Sequence, residues 1–329
     1  MDWGFIFDIS IHSLVGQNAI IYALAAIGLN VQFGYTGLLN FGQAAFAALG
    51  GYGMATIVTT FGLSFWLGIA VGLAGALVLA MLLGIPTLRL RADYLAIVTL
   101  AASEILRLTF RASSLRETFG GSEGLTGFSN TFFEINPFVE RVVLGPWSFS
   151  PRNAWVLAVG WGLVIISCLV VWALMRSPWG RVQKAIREDE DAVRSLGKNV
   201  YAYKMQSLAL GGIFGALAGF VFSLANASVQ PDLYNPTFTF FAYTILILGG
   251  AARVLGPVVG SMIFWFMFQF FAGVLEGGIR SGVFPFTLIS VNQVGPMVFM
   301  LVGLVLILLL VFRPQGIFGN RKELAFDVR

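Results

Sequence analysis

Few residues in this chain have side chains that could do chemistry, and most of them lie between apolar runs. Within the runs the charged exception is Glu104 and Arg107, three apart and so on one helix face, with Arg111 a turn further on. Two readings of it stand: an intrahelical ion pair that neutralises itself and snorkels toward the outer interface, or a substrate contact. Uncharged hydrogen-bonding groups recur in "GYTGLLNFGQAAFAALGGYG", Gly34 to Gly53, where Thr36, Asn40 and Gln43 stand among glycines between two apolar stretches. His12 is the only histidine and Cys168 the only cysteine, so an intrachain disulfide and a cysteine-based metal cluster are both excluded. The apolar runs hold no paired carboxylates of the kind that general acid–base catalysis needs, and an enzyme is not expected. A G-x-x-x-x-G-K-[ST] phosphate loop is absent: the only Gly-Lys pair, Gly197-Lys198, is followed by Asn199. The chain therefore has no such ATP site of its own, and no cofactor is expected.

The elements that must position these residues follow from composition. Of 329 residues, 57% are hydrophobic and 11% charged, against about a quarter charged in soluble domains. With a mean hydropathy of +0.84, this is an integral membrane protein. The opening "MDWGFIFDIS" has two aspartates and no basic residue, which argues against a cleaved signal peptide. A helix crosses a bilayer in roughly 20 apolar residues. Runs of that kind fall at Leu14 to Phe33, Ala44 to Phe61, Phe65 to Ile85, Tyr94 to Phe110, Ala154 to Met175, Met205 to Ala227, Pro236 to Ala252, Val258 to Leu275 and Pro296 to Phe312. The expectation is an all-α polytopic fold with about 8–10 transmembrane helices, forming one permease domain over residues 1–329. Pro86 and Pro178 close the runs before them, and Asn235-Pro236 reads as an N-cap followed by proline at the first helical position.

The net charge of +4 resides mainly in the connections, where it reads as topology rather than nucleic-acid binding. If the Met175 to Met205 segment is cytoplasmic, that side holds Arg176, Arg181, Lys184, Arg187, Arg194, Lys198 and Lys204, and alternation adds Arg89, Arg91, Arg253, Arg313, Arg321, Lys322 and Arg329. Arg107, Arg111, Arg116, Arg141, Arg152 and Arg280 fall on the other side. The bias puts the C-terminus inside, and the N-terminus and the 111–152 connection outside.

The most informative polar stretch is "RSPWGRVQKAIREDEDAVRSLGKNVYAYK", Arg176 to Lys204. At 100° per residue, Ala185, Ile186, Val193 and Leu196 fall within about 60° of Val182, one stripe on a helix or a bent helix pair, with Asp189 on the same stripe. Gly197 follows the last apolar position, as a C-terminal cap does. Such a helix could lie on lipid headgroups. The acidic run Glu188, Asp189, Glu190, Asp191 would be repelled by an anionic leaflet, which favours a protein partner.

"DAVRSLG", Asp191 to Gly197, resembles the E-A-A-x-x-x-G signature of ABC importer permeases, with Ala192 and Gly197 matching and Asp191 and Val193 as variants. The whole of Arg176 to Lys204 is similar to the cytoplasmic loop of the branched-chain amino acid ABC permeases of the LivM type. The Gly34 to Gly53 stretch, "GGSEGLTGF" from Gly120 to Phe128, "LGGAARVLGPVVG" from Leu248 to Gly260 and "FRPQGIFG" from Phe312 to Gly319 resemble the same family, in family order and over nearly the full length. Relatives commonly carry His where Gln43 stands, so a role resting on an imidazole there is lost. The resemblance implies a multi-pass subunit of an importer in the prokaryotic inner membrane. Its partners would be cytoplasmic ATPase subunits, a second permease chain, an external solute-binding protein and the lipid bilayer.

On that reading Glu188, Asp189, Glu190, Asp191, Ala192, Val193, Leu196 and Gly197 form the element that docks on the ATPase. Thr36, Asn40 and Gln43, with Ser122, Glu123 and Thr126 in the outer loop, are the candidates for the translocation path. The glycines of Gly34 to Gly53 allow either a broken helix facing a shielded cavity or tight helix packing with the polar side chains bonded across neighbours. Branched-chain or other hydrophobic amino acids are the expected cargo. Urea, short amides or sugars remain open within the class, and an ion-coupled carrier is the rival from outside it.

Overall fold

The computed structural model describes residues 2–88, 92–144, 147–281, 293–313 and 315–319. Arg89, Arg91, Arg321, Lys322 and Arg329, which entered the charge bias, lie outside them. The chain opens with α1 (Trp3–Leu14) and α2 (Gln17–Leu29), and α2 runs on into a π-helical turn, Asn30–Gly34. After a non-helical passage come α3 (Gln43–Thr59), α4 (Phe65–Thr87) and α5 (Ala92–Arg111). The connection that follows carries α6 (Arg116–Phe119), β1 (Leu125–Thr126), α7 (Asn130–Glu134), β2 (Val142–Leu144) and β3 (Trp147–Phe149). Then come α8 (Pro151–Arg176), the short pair α9 (Pro178–Glu188) and α10 (Glu190–Ser195), α11 (Val200–Asn226), β4 (Ser228–Val229), α12 (Pro236–Gly249), α13 (Gly256–Arg280) and α14 (Val294–Phe312).

Among the described residues, six helical stretches are long and apolar enough to span a membrane: Trp3–Gly34, α4, α8, α11, α13 and α14. The sequence reading counted α3, α5 and α12 as spans too, and the difference has physical causes. With 17 and 14 residues, α3 and α12 are short for a bilayer, and both adjoin glycine-rich breaks. Helix α5 has 20 residues, but Glu104, Arg107 and Arg111 lower its hydropathy. At the front, the first run begins at Trp3 rather than Leu14, because α1 precedes α2 with only Val15 and Gly16 between them.

Local signals behave largely as the sequence suggests. Asn235 caps α12, its Oδ1 accepting from Thr237 N at 3.0 Å, with Pro236 at the first helical position. Pro86 does not end α4 at once; the helix continues to Thr87. The long helices approach closely where both partners are small. A Cβ on Gly219 of α11 would run into the Ala47 carbonyl of α3, and one on Gly50 into the Ala216 backbone. Gly53 meets Gly72 of α4 in the same way. In lipid, where burying apolar surface gains little, such backbone proximity is what holds helices together. Helix α11 lies at the centre, packed on α2, α3 and α4, and α1 lies along α13.

Candidate functional site

The backbone from Gly37 to Gly42 is not helical, so its polar groups need partners from elsewhere. Neighbouring side chains supply them. Asn40 N donates to Tyr243 Oη at 3.0 Å, and the same hydroxyl donates to Asn40 O at 3.0 Å. Thr99 Oγ1 of α5 accepts from Phe41 N at 3.0 Å, and Thr239 Oγ1 of α12 accepts from Ala44 N at 2.9 Å. Gly37 adopts a φ of +76°, a left-handed conformation that a side chain would strain.

The three polar residues singled out in this stretch fall in two adjoining buried clusters, Asn40 and Gln43 in one and Thr36 in the other. Asn40 Nδ2 donates to Gln32 Oε1 at 2.9 Å and lies 3.4 Å from Gln43 Oε1. Gln32 Nε2 donates to Leu208 O at 3.0 Å, and Gln43 Nε2 to Gly211 O at 3.1 Å, both carbonyls belonging to α11. Thr36 Oγ1 stands 2.8 Å from Ser207 Oγ and 3.0 Å from Val31 O. All three side chains are buried, bonded to protein groups and uncharged. The helix is broken, as the first reading expects, but Thr36, Asn40 and Gln43 are bonded across neighbouring helices, as in the second, and line none of the cavities among the described residues. Gly37 to Gly42 form a broken helix, whereas Gly50 and Gly53 serve tight packing and Gly51 lies against Tyr234 Oη and Ser223 Oγ.

The Thr36 cluster extends into the segment beyond α8. Gln183 of α9 is buried; its Oε1 accepts from Thr36 Oγ1 at 3.1 Å and its Nε2 donates to Tyr203 O at 2.9 Å. Arg187, one turn on, donates to the Gly34 carbonyl, and its stem lies against Gly37. Two side chains of α9 thus hold the start of the helix break directly.

Helices α9 and α10 form the bent pair, but the apolar stripe splits. Ile186 and Val193 turn inward against Val200 and Tyr203 of α11, while Ala185 and Leu196 are exposed, Leu196 at 78%. Asp189 is the bend itself. Its φ of −155° is extended, and its Oδ1 caps α10 by accepting from Asp191 N at 3.0 Å and Ala192 N at 2.9 Å. Glu190 pairs with Arg194 at 2.9 Å and with Lys204, and Asp191 also pairs with Arg194 at 2.9 Å. Gly197, at φ +75°, ends α10 as expected: its N donates to Arg194 O at 3.0 Å and Lys198 N donates to Val193 O at 3.4 Å. Glu188, Asp189, Asp191, Ala192, Leu196 and Gly197 are left on the surface.

Two other glycine motifs meet the same end of the molecule. Asn30 Nδ2 donates to Arg253 O at 2.8 Å and its Oδ1 accepts from Ala252 N at 2.9 Å, tying the π-helical turn to the α12–α13 connection. On the far side of that connection, Ile317 N and Phe318 N donate to Leu248 O and Gly249 O at 3.0 and 3.1 Å.

Ser122, Glu123 and Thr126 lie at the opposite end of α3 and do not join this network. They are exposed, on a loop in which Gly120, Gly121, Gly124 and Gly127 all have positive φ. Glu123 pairs with Arg116 at 2.9 Å, and β1 pairs antiparallel with β4. At this end Glu104 and Arg107 do pair, yet not in isolation: Arg107 Nη1 also reaches Asp232 at 2.7 Å, and Arg111 reaches the same carboxylate at 3.3 Å. The cluster therefore joins α5 to the turn before α12. Tyr52 Oη and Thr56 Oγ1, one turn apart on α3, are buried without a hydrogen-bond partner.

Fold and site together define a multi-pass helical membrane protein built on a broken span, whose break is held by the short helix α9 outside the long helices. The chain belongs to the family described as "Branched-chain amino acid transport system / permease component", which it matches over residues 14–312. It is 32% identical over 256 residues to the high-affinity branched-chain amino acid transport system permease protein LivM of Escherichia coli (strain K12), covering 74% of this chain and 60% of that one. It is 25% identical over 342 residues to a probable LivM of Methanocaldococcus jannaschii, covering 92% and 91%. With the E. coli permease protein LivH it shares 25% identity over 258 residues, 74% of this chain and 79% of that one. The chain thus spans about 60% of the length of the E. coli LivM. No solved structure matches it.

Proposed function

We propose that this chain is a membrane-spanning subunit of an ATP-driven importer for branched-chain or other hydrophobic amino acids, and that it takes its energy from a separate cytoplasmic ATPase. A second permease chain would complete the pathway and an external binding protein would deliver the cargo. The assembly would sit in the prokaryotic inner membrane with the C-terminus of this chain in the cytoplasm. The observation that carries the reading is the direct hold of α9 on the helix break through Gln183 and Arg187. A segment that grips an ATPase on its exposed side and the break on its buried side turns nucleotide-driven closure into movement of Gly34 to Gln43. Thr36, Asn40 and Gln43 are buried and neutral, and where movement of the break exposes them to the pathway they would suit a zwitterion in passage, since firm charge pairing would slow release. Ser122, Glu123 and Thr126 belong to the external rim, where the binding protein would dock.

The exposed face of α10 is the docking surface in this scheme, and its geometry selects the variants. Charge reversal at Asp189 would remove the helix cap at a cost of about 0.5–2 kcal/mol and so confuse docking with folding. Asp191, at 88% side-chain exposure, and Leu196 are cleaner positions. Asp191→Lys and Leu196→Glu should leave membrane insertion intact and abolish the stimulation of ATPase activity by cargo-loaded binding protein in proteoliposomes. Unchanged stimulation in both refutes the docking assignment. Uptake that continues without ATP while ion gradients persist refutes the importer reading as a whole.

A further inference from the structure

A cavity of about 600 Å³ opens beneath the β2–β3 hairpin, far from the network around Asn40. Its walls include Val15, Phe138, Trp147, Phe149, Leu157 and Trp161. Both indole N–H groups are already used, Trp147 Nε1 on Asp8 Oδ1 at 2.6 Å and Trp161 Nε1 on Val15 O at 3.0 Å, so the rings offer the cavity only their apolar faces. His12 is stacked on Phe149 at 4.8 Å between ring centroids. The volume lies within the range of roughly 300–1,000 Å³ that holds one small ligand.

The chemistry of the walls narrows the occupant. A zwitterionic amino acid would give up its water and meet no compensating partner there, which excludes a cargo site. A protein helix packs with its axis about 8–10 Å from its neighbours, and a hairpin lies over this space. The cavity opens at the first turns of α8, a membrane-length helix, where aromatic side chains commonly mark the boundary between hydrocarbon and headgroups. Two exposed basic residues flank the lining in sequence, Arg141 just before Val142 and Arg152 just before Asn153 and Ala154. Arg152 is held over the Phe133 ring at 4.3 Å.

We infer that this cavity is a lipid site: it takes one acyl chain of an anionic phospholipid, with the phosphate at Arg141 and Arg152. An acyl chain gains little by leaving one hydrocarbon environment for another, so selectivity comes from the charges. Each basic residue near a membrane surface is worth about fivefold in affinity for an anionic headgroup, and the two together about 25-fold.

The test uses the full chain in nanodiscs containing phosphatidylglycerol or phosphatidylcholine with a photoactivatable diazirine midway along one acyl chain, followed by peptide mapping. Adducts should concentrate on Leu157, Ala158 and Trp161 over the plainly lipid-facing Ile165, Ile166 and Leu169 of the same helix. Phosphatidylglycerol should label the site about 25-fold more than phosphatidylcholine, and Arg141→Glu or Arg152→Glu should each cut that preference about fivefold. Ala158→Trp, which fills the cavity, should abolish the local adducts. Equal labelling by the two lipids, or labelling at Leu157 and Ala158 no higher than at Ile166, overturns the proposal. Both of those comparisons are made on the unmodified protein and need no variant to fold.

Discussion

The sharpest test of the transmission scheme is to cut the link between α9 and the helix break while leaving both in place. Gln183→Met keeps the length and most of the volume of a buried side chain, so its packing penalty is small. What it removes is the bond accepted from Thr36 Oγ1 at 3.1 Å and the bond donated to Tyr203 O at 2.9 Å. At about 1 kcal/mol each, the loss is about 2 kcal/mol, or roughly 30-fold in the ratio of held to released α9. Thr36 keeps Val31 O and Ser207 Oγ as partners, so no buried hydroxyl is orphaned. In proteoliposomes containing the complete transporter, ATP hydrolysis should persist while uptake per ATP falls, by at most the same roughly 30-fold factor, which is reached only where released α9 already predominates. Thr36→Val should reproduce part of that loss, and the double variant should fall short of the sum of the singles by about 0.5–1.5 kcal/mol, because both remove one shared bond. Normal uptake per ATP in Gln183→Met refutes the linkage, and strict additivity of the two variants refutes the specific bond.

Two further outcomes follow from the packing and the charge cluster. Gly219→Leu drives a side chain into the Ala47 carbonyl and should strip the protein from the membrane fraction, whereas Gly162→Leu, where a Cβ meets nothing within 4 Å, should accumulate normally; expression blots of the two decide. Asp232→Asn should cost less than about 1 kcal/mol and lose its effect in high salt, because Asp232 is about half exposed and Arg107, its more buried partner, keeps Glu104. Glu104→Gln should cost more, since Arg107 is only 14% exposed and forfeits its bidentate partner. Thermal unfolding in detergent at two ionic strengths separates these cases.

How far the sequence could be read depended on whether a residue's role was local or set by its neighbours. Six of the nine apolar runs, the Asn235 cap and the Gly197 terminus are local and read correctly, because length, a capping side chain and a left-handed glycine act within a few residues. The split of the α9–α10 stripe was not legible. Periodicity puts Ala185, Ile186, Val193 and Leu196 on one edge only if the helix is straight, and the Asp189 cap bends it. Gln183 was hidden for a related reason: on a charged amphipathic helix a glutamine reads as solvent-facing, and nothing nearby in sequence announces that Thr36 lies opposite.

Gln32, Thr99 and Ser207 gave a fainter signal that could have been used. Each is a polar residue within an apolar run, and in a membrane such a residue requires a partner. Taken with Thr36, Asn40 and Gln43, they imply a buried polar network. Its geometry could not have been foreseen, because the network closes through carbonyls of α11 and a hydroxyl of α12 that lie some 165 to 205 residues away. The same distance makes the network informative about mechanism. Its bonds join the broken span to helices on either side of it, and α9 is tied to the span at Thr36 and Gly34, so a displacement of α9 must either break those two bonds or carry the start of the break along. Apart from Arg187 the bonded groups are neutral, which favours the second course, since their hydrogen bonds can be exchanged one at a time without leaving a charge unpaired in hydrocarbon.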